Sequence, residues 1–185
     1  MYHDWDEQRL ARLCSGRDRL AEDELYTRYA ARLMTLCRRY TGCEADAQDL
    51  LQETFVKVLD RIGSFRYAGG GSLYRWMRRI AINQALNDLR RHRWRWVPLD
   101  FSHGDPVADP TEEEIMAIPQ EKMLEWISRL PELRRAVFNL YCIDGYSHKE
   151  IGGMLGISEK GSAGVLAKAR KQLKQQIFQY LKDTE

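Results

Sequence analysis

Apolar positions recur every three or four residues along most of the chain, the spacing of one face of an α-helix. From Ala21 to Tyr40 the series is Leu25, Tyr29, Leu33, Leu36 and Tyr40, and Gly42 and Cys43 end it. From Ala45 to Ile62 it is Leu50, Leu51, Phe55, Val58, Leu59 and Ile62. The other side of that helix carries Asp49, Gln52, Glu53, Lys57 and Asp60, and Gly63 follows as a stop signal. Gly69, Gly70 and Gly71 predict a mobile loop from Tyr67 to Ser72. A helix resumes near Ser72, with Leu73, Trp76, Met77, Ile80, Ala81 and Leu89 on one side, and runs to about Arg93.

The pattern then breaks. Residues 97–119 hold Pro98, Pro106, Pro110 and Pro119 with little periodicity, which predicts a linker. A structureless stretch of that length is uncommon inside one domain, so it divides a first domain, 1–96, from a second, 120–185. In the second, a short helix covers Gln120 to Arg129, and Pro131 opens the next, which runs to Cys142. Ser147 caps a third helix, and Glu150 three residues later completes a capping box. Ile151, Met154 and Leu155 are its apolar face. Gly156 turns the chain, Ser158 caps again, and a last helix reaches about Leu181. No strand signal interrupts this, so the fold class is all-α: two small helical domains, the second a helix-turn-helix of winged-helix-like type without strands.

Charge sharpens the picture. The net charge is only +2, but it is unevenly placed. Between Ser64 and Trp96 there are eight arginines (Arg66, Arg75, Arg78, Arg79, Arg90, Arg91, Arg93, Arg95) against one acid, Asp88. Between Val97 and Ile118 there are six acids (Asp100, Asp105, Asp109, Glu112, Glu113, Glu114) and no Lys or Arg. A basic block beside an acidic one points to nucleic acid. No apolar run is long enough to span a membrane, and the acidic, polar start is unlike a secretory signal; a cytoplasmic protein is expected. Cys14, Cys37, Cys43 and Cys142 form no CxxC pair, so reduced thiols are expected. His3, His92, His103 and His148 do not supply the close ligand pairs a zinc site needs.

Three segments carry candidate chemistry. The run Ser147 to Ser158 has the spacing of a helix-turn-helix, whose second helix lies in the major groove. Lys168, Arg170, Lys171 and Lys174 downstream suit phosphate contacts. In the block Arg75 to Trp96, Trp94 and Trp96 alternate with Arg93 and Arg95, a combination that suits unstacked bases on a charged strand. Asp49, Gln52 and Glu53 fall at i, i+3 and i+4 and form one patch. That patch is either a solvated face or a docking surface for a basic partner helix; no second catalytic group accompanies it.

These segments resemble bacterial sigma factors of the extracytoplasmic-function (ECF) type, which hold conserved regions 2 and 4 only. Leu25 to Tyr29, Asp49-Leu-Leu-Gln-Glu-Thr-Phe55, Ser64 to Arg66, Leu73 to Met77 and Arg79 to Arg91 resemble region 2. Leu130 to Phe138, Gly145 to Ile151, Leu155 to Glu159 and Ala169 to Leu173 resemble region 4. The resemblance implies a non-enzymatic factor without cofactor or metal. It would bind core RNA polymerase, through the clamp helices of the beta-prime subunit and the beta flap, and bind promoter DNA, duplex and single-stranded. It implies a monomer when free, no membrane insertion, and an anti-sigma factor as regulator. Asp49, Gln52 and Glu53 match the clamp-docking patch. Arg79, Asn83 and Asn87 match positions facing the −10 element, Trp76 lies in the strand-opening segment, and Phe65 to Ser72 matches the loop that holds a flipped base. Arg66, Tyr67, Arg75, Arg90 and Arg91 join that melting surface. Ser147, His148, Lys149, Ser158, Lys160, Ser162, Ala163, Gly164, Lys168, Arg170 and Lys171 would form the −35 surface. The recognition helix departs from the family pattern. A Gly-Thr pair there is often followed by Lys or Arg, Ser, and Arg; here Ala163 replaces the base-reading cation, and Gly164 and Val165 follow it.

Two other classes stay open at this point. A freestanding helix-turn-helix regulator would dimerise to read two half-sites, but leaves the Arg-Trp block and the Asp49 patch without a use. A nuclease would need clustered carboxylates, for which Asp46, Asp49 and Glu53 are the candidates.

Overall fold

The computed structural model describes residues 5–91 and 111–184. The side chains of residues 88–91, 112, 114 and 184 and all of 92–110 lie outside that description. The boundary between 96 and 97, the pairs Arg93–Trp94 and Arg95–Trp96, and most of the acidic segment therefore lie outside it too. The chain forms two compact units, one ending at Asp88 and one beginning at Leu89. Every regular element in the described residues is helical.

The first unit holds α1 (Glu7–Ser15), α2 (Arg19–Tyr40), α3 (Glu44–Arg61) and all but the last three residues of α4 (Ser72–Arg91), with a 3₁₀ turn at Ile62–Ser64 after α3. Each start has a physical cause. Asp6 accepts the Arg9 N–H at 2.7 Å to begin α1, and Asp18 accepts the Ala21 N–H at 3.0 Å to begin α2. Cys43 Sγ takes the Asp46 N–H at 3.4 Å to begin α3, whose first turn is acidic, as the helix dipole favours. The buried stripes of these helices meet in one core that includes Leu10, Leu25, Leu33, Leu36, Val58, Leu73, Met77 and Ile82. All four cysteines are free. Burial pushes the Cys14 thiol up to about 11 and Cys37 to about 12, so these two pack as small apolar residues.

Helix α1 is absent from the expectation, although Asp6, Leu10, Leu13, Cys14 and Gly16 supply a cap, a stripe and a stop. Within the core Glu24 is buried, and the Arg28 guanidinium closes on its carboxylate at 2.7 and 3.0 Å. A third Arg28 bond, to the Trp5 carbonyl at 2.7 Å, ties the chain start to α2.

The second unit holds α5 (Glu112–Met116), α6 (Gln120–Ser128), α7 (Glu132–Phe138), α8 (His148–Leu155) and α9 (Glu159–Thr184). Helix α5 corrects the linker expectation at its C-terminal end. The acids there start a short helix, and Ile118 packs into a core with Trp126, Ile127, Leu130, Leu173 and Ile177. The predicted helix from Pro131 to Cys142 is α7 followed by a π-turn at Asn139–Ile143. Arg135 is buried and donates to the carbonyls of Ser128, at 2.5 Å, and Leu130, at 3.4 Å. It thereby satisfies acceptors at the end of α6 that would otherwise be orphaned.

Candidate polymerase and promoter surfaces

Helix α3 buries Ala47, Leu50, Leu51, Thr54, Phe55 and Val58. The opposite face must then point outward, and Asp49, Gln52 and Glu53 are all exposed on it. Val56, 60% exposed, extends this acidic face with an apolar position that the sequence reading did not select. Glu53 has a second tie: its carboxylate accepts from Gln84 Nε2 on α4, and Gln84 Oε1 accepts from Lys57 Nζ. Gln84 itself is buried. The exposed acidic face of α3 and α4 are thus joined by a hydrogen-bonded relay, which periodicity alone could not reveal.

Helix α4 buries Leu73, Met77, Ala81, Ile82, Gln84, Ala85 and Leu86. Arg75, Arg79, Asn83 and Asn87 recur every fourth residue and are all exposed, so they make one polar stripe. Arg90 and Arg91 continue the backbone of α4, with side chains outside the described set. Trp76 is half-buried and packs on Phe65, ring centroids 5.7 Å apart at 57°.

The loop between the 3₁₀ turn and α4 is more constrained than its glycines suggest. Gly69 and Gly71 take positive φ, of 88° and 77°. Ser72 N–H donates to Gly69 O at 3.1 Å, and Ala68 N–H to Ser72 Oγ at 3.3 Å. The Arg66 guanidinium reaches the carbonyls of Gly63 and Phe65, at 3.3 and 3.1 Å, and Arg75 that of Gly70 at 3.4 Å. Tyr67 remains 45% exposed.

In the second unit the capping box of α8 is complete. Ser147 Oγ accepts the Glu150 N–H at 3.3 Å, and Glu150 Oε2 accepts the Ser147 N–H at 2.8 Å. The Ser147 hydroxyl and amide hold the Glu150 carboxyl below the usual range. Gly156, at φ 71°, ends α8, and Ile157 and Ser158 lead directly into α9. Ser158 Oγ caps α9 by accepting the Gly161 N–H at 2.9 Å. This is the helix-turn-helix predicted from the sequence.

One expected −35 residue is misplaced by that prediction. Ser162 is fully buried, so it is no part of an outer reading surface. It lies on the inward stripe with Val165, Leu166 and Ala169, and its Oγ meets His148 Nδ1 at 2.9 Å. His148 in turn stacks on Tyr141, centroids 4.3 Å apart at 17°. The three side chains brace α9 against α8 and the π-turn. Val165 is buried as well.

Lys149, Ser158, Lys160, Ala163, Arg170 and Lys171 are exposed, and Lys168 and Gly164 are half-buried. Lys160, Ala163, Ala167 and Lys171 line the outer side of α9, so that face is smooth at its middle and cationic at its ends. Arg170 lies 3.7 Å from Cys142 Sγ and 5.9 Å from the Tyr141 ring centroid, at the end of the same brace.

Known proteins match both units. Residues 25–95 match the Sigma-70 region 2 family and residues 120–173 the Sigma-70, region 4 family. The chain is 34% identical over 169 residues to the ECF RNA polymerase sigma factor SigM of Mycobacterium tuberculosis, covering 91% of this chain and 82% of that protein. It is 31% identical over 168 residues to the ECF RNA polymerase sigma factor SigE of Mycolicibacterium smegmatis, covering 88% and 63%. A solved structure of CnrH in complex with the cytosolic domain of CnrY aligns over 95% of this chain and 96% of that one, with 23% identity and a TM-score of 0.46. With regions 2 and 4 matched in order, the chain belongs to the ECF-type sigma factors, the non-enzymatic factors that recognise promoters in bacterial transcription initiation.

Proposed function

We propose that the chain divides this work among three helix faces. The α3 face, with Asp49, Gln52 and Glu53, docks on the clamp helices of core polymerase. The α4 stripe, with Phe65 to Ser72, Trp76 and the terminal Arg90 and Arg91, opens and holds the −10 element. The outer side of α9, with the exposed start of α8, grips the −35 element in duplex form. The observation that carries the division is that each face is the polar side of a helix whose other side is buried. Acids dominate the first, and cations with amides or small residues the other two. Acids suit a basic protein partner, and arginine and asparagine suit phosphates and base edges. Ser162 leaves the −35 set, and Ala167 enters it.

The chain acts in the cytoplasm, where its polymerase is, and is a monomer when free. Among the described residues no helix is long and apolar enough to cross a membrane. An anti-sigma partner covering the α3 and α4 faces is the regulator this reading implies.

The test is direct. Changing Asp49 and Gln52 to lysine puts like charge against the basic partner, which costs several kcal/mol and weakens core polymerase binding about 100-fold. Far-ultraviolet circular dichroism stays at the wild-type value, because both side chains are exposed. Unchanged affinity in a fluorescence titration removes the docking assignment.

A further inference from the structure

Helix α1 precedes the matched region 2 stretch, which begins at residue 25, yet it touches both ends of the loop at 65–71. At the loop exit, Glu7 Oε2 accepts from Ser72 Oγ at 3.2 Å and from the Leu73 N–H at 3.1 Å. The Leu73 amide is one of the donors in the first turn of α4 that have no partner inside that helix. A carboxylate is favoured there by the helix dipole as well. Here that cap comes from a residue 66 positions away. The Ser72 hydroxyl gives its single proton to Glu7 and takes the Ala68 N–H on a lone pair at 3.3 Å. A line of hydrogen bonds thus runs from α1 into the loop itself.

The same carboxylate is fixed from behind. Tyr29 OH donates to Glu7 Oε1 at 3.2 Å. The Tyr29 phenol is pushed up to about 12, first by burial and then by Glu7, so it remains a donor at neutral pH. At the loop entry, the other end of α1 reaches the 3₁₀ turn. Ser15 Oγ stands 3.2 Å from the position a Cβ on Gly63 would occupy. Between these ends Leu10 and Cys14 are fully buried, so α1 is anchored along its length.

We propose that α1 is the template of this loop, and that Glu7 is a positioning residue that sets which unpaired base the loop accepts. This rests on the reading of Phe65 to Ser72 as the single-strand base pocket. Glu7 touches no DNA in this scheme. It holds Ser72 and Leu73, Ser72 holds Ala68, and the spacing between Tyr67 and the start of α4 follows.

The experiment uses holoenzyme assembled from core polymerase and the full chain. Its probes are four fork-junction DNAs that differ only in one unpaired non-template base at the edge of the duplex. Wild type separates the best base from the worst by about tenfold, the scale of one hydrogen bond made or lost at the edge of a flipped base. Glu7→Ala brings that ratio to within about twofold, while affinity for core polymerase stays within twofold. Ser72→Ala removes only the hydroxyl link and keeps the Leu73 bond, so it gives an intermediate ratio in the least disturbed chain. Hydrogen exchange at the Ala68 amide speeds up in both variants, with α2 and α3 protected as in wild type. Retention of the wild-type ratio in either variant overturns the role of Glu7. So does a uniform loss of core binding and of α2 and α3 protection, the mark of a merely structural residue. A wild-type holoenzyme indifferent to the base is a different failure: it overturns the pocket reading of the loop.

Discussion

At the scale of single residues, adjacent glycines in α8 have opposite meanings. A Cβ on Gly152 would stand 2.7 Å from the Ile157 carbonyl oxygen, while one on Gly153 would meet nothing within 4 Å. Gly152 is the point where the turn of the helix-turn-helix folds back on its first helix. Its carbonyl accepts the N–H of both Gly156 and Ile157, at 2.9 and 3.1 Å. Alanine is a better helix former than glycine by about 1 kcal/mol. Forcing an extra carbon into close packing costs about 1–3 kcal/mol. Because the blocking atom is main chain and cannot rotate aside, the packing cost wins at Gly152. Gly152→Ala is therefore expected to lower the melting temperature of the second unit, and Gly153→Ala to raise it. Differential scanning calorimetry decides, and equal shifts for the two variants would contradict the close-approach argument.

At the scale of elements, α9 carries two stripes that its sequence presents unequally. The inward stripe runs through Ser162, Val165, Leu166, Ala169, Leu173 and Ile177, all buried. Its spacing is regular, so the burial of Ser162 was legible from period; its hydroxyl hid it, because polar identity suggests an outward face. The acids of α5 concealed a helix in the same way, although Ile115 and Ile118 are three apart. Capping chemistry was the most readable feature, since Ser147, Glu150 and Ser158 act on neighbours within three residues. The least readable were contacts between distant residues: Glu7 on Leu73, Gln84 on Glu53, and Ser162 on His148. No local pattern encodes these, because the partners meet only once the helices have packed. The outer stripe of α9 then poses its own question. Gly164 is half-buried with open space where a Cβ would be, so nothing inside the fold demands glycine. Gly164→Ala should stabilise the second unit by about 1 kcal/mol. If the glycine lets the helix backbone approach DNA, the same change weakens −35 duplex binding, a trade of function against stability. A variant both more stable and equally tight on DNA would show that the smooth face is incidental.

At the scale of the whole molecule, the two units are joined in one chain, so a promoter held by one raises the local concentration of its second element for the other. Linked weak sites of this kind gain about 10²–10⁴ over either alone, provided both engage together. Duplex gripping and strand opening should then be separable by substitution. Lys160→Ala with Lys171→Ala removes two exposed cations from the ends of the α9 face. If each neutralises one phosphate, the slope of log affinity against log salt falls by about 2, since each contact contributes about 0.9. Occupancy of the closed promoter complex drops accordingly, most at high salt, while the rate of opening per bound complex is unchanged. Asn83→Ala, on the α4 stripe, should do the reverse. On the proposed division its exposed amide meets a base only after the strands part, so the substitution leaves closed-complex occupancy near wild type and slows opening. Stopped-flow fluorescence of a base analogue near the start site measures opening, and filter binding at several salt concentrations measures gripping. The assignment of the two faces predicts that the defects segregate. A loss of both gripping and opening in both variants would mean instead that the two units read the promoter as a single surface, and the division among helix faces would have to be abandoned.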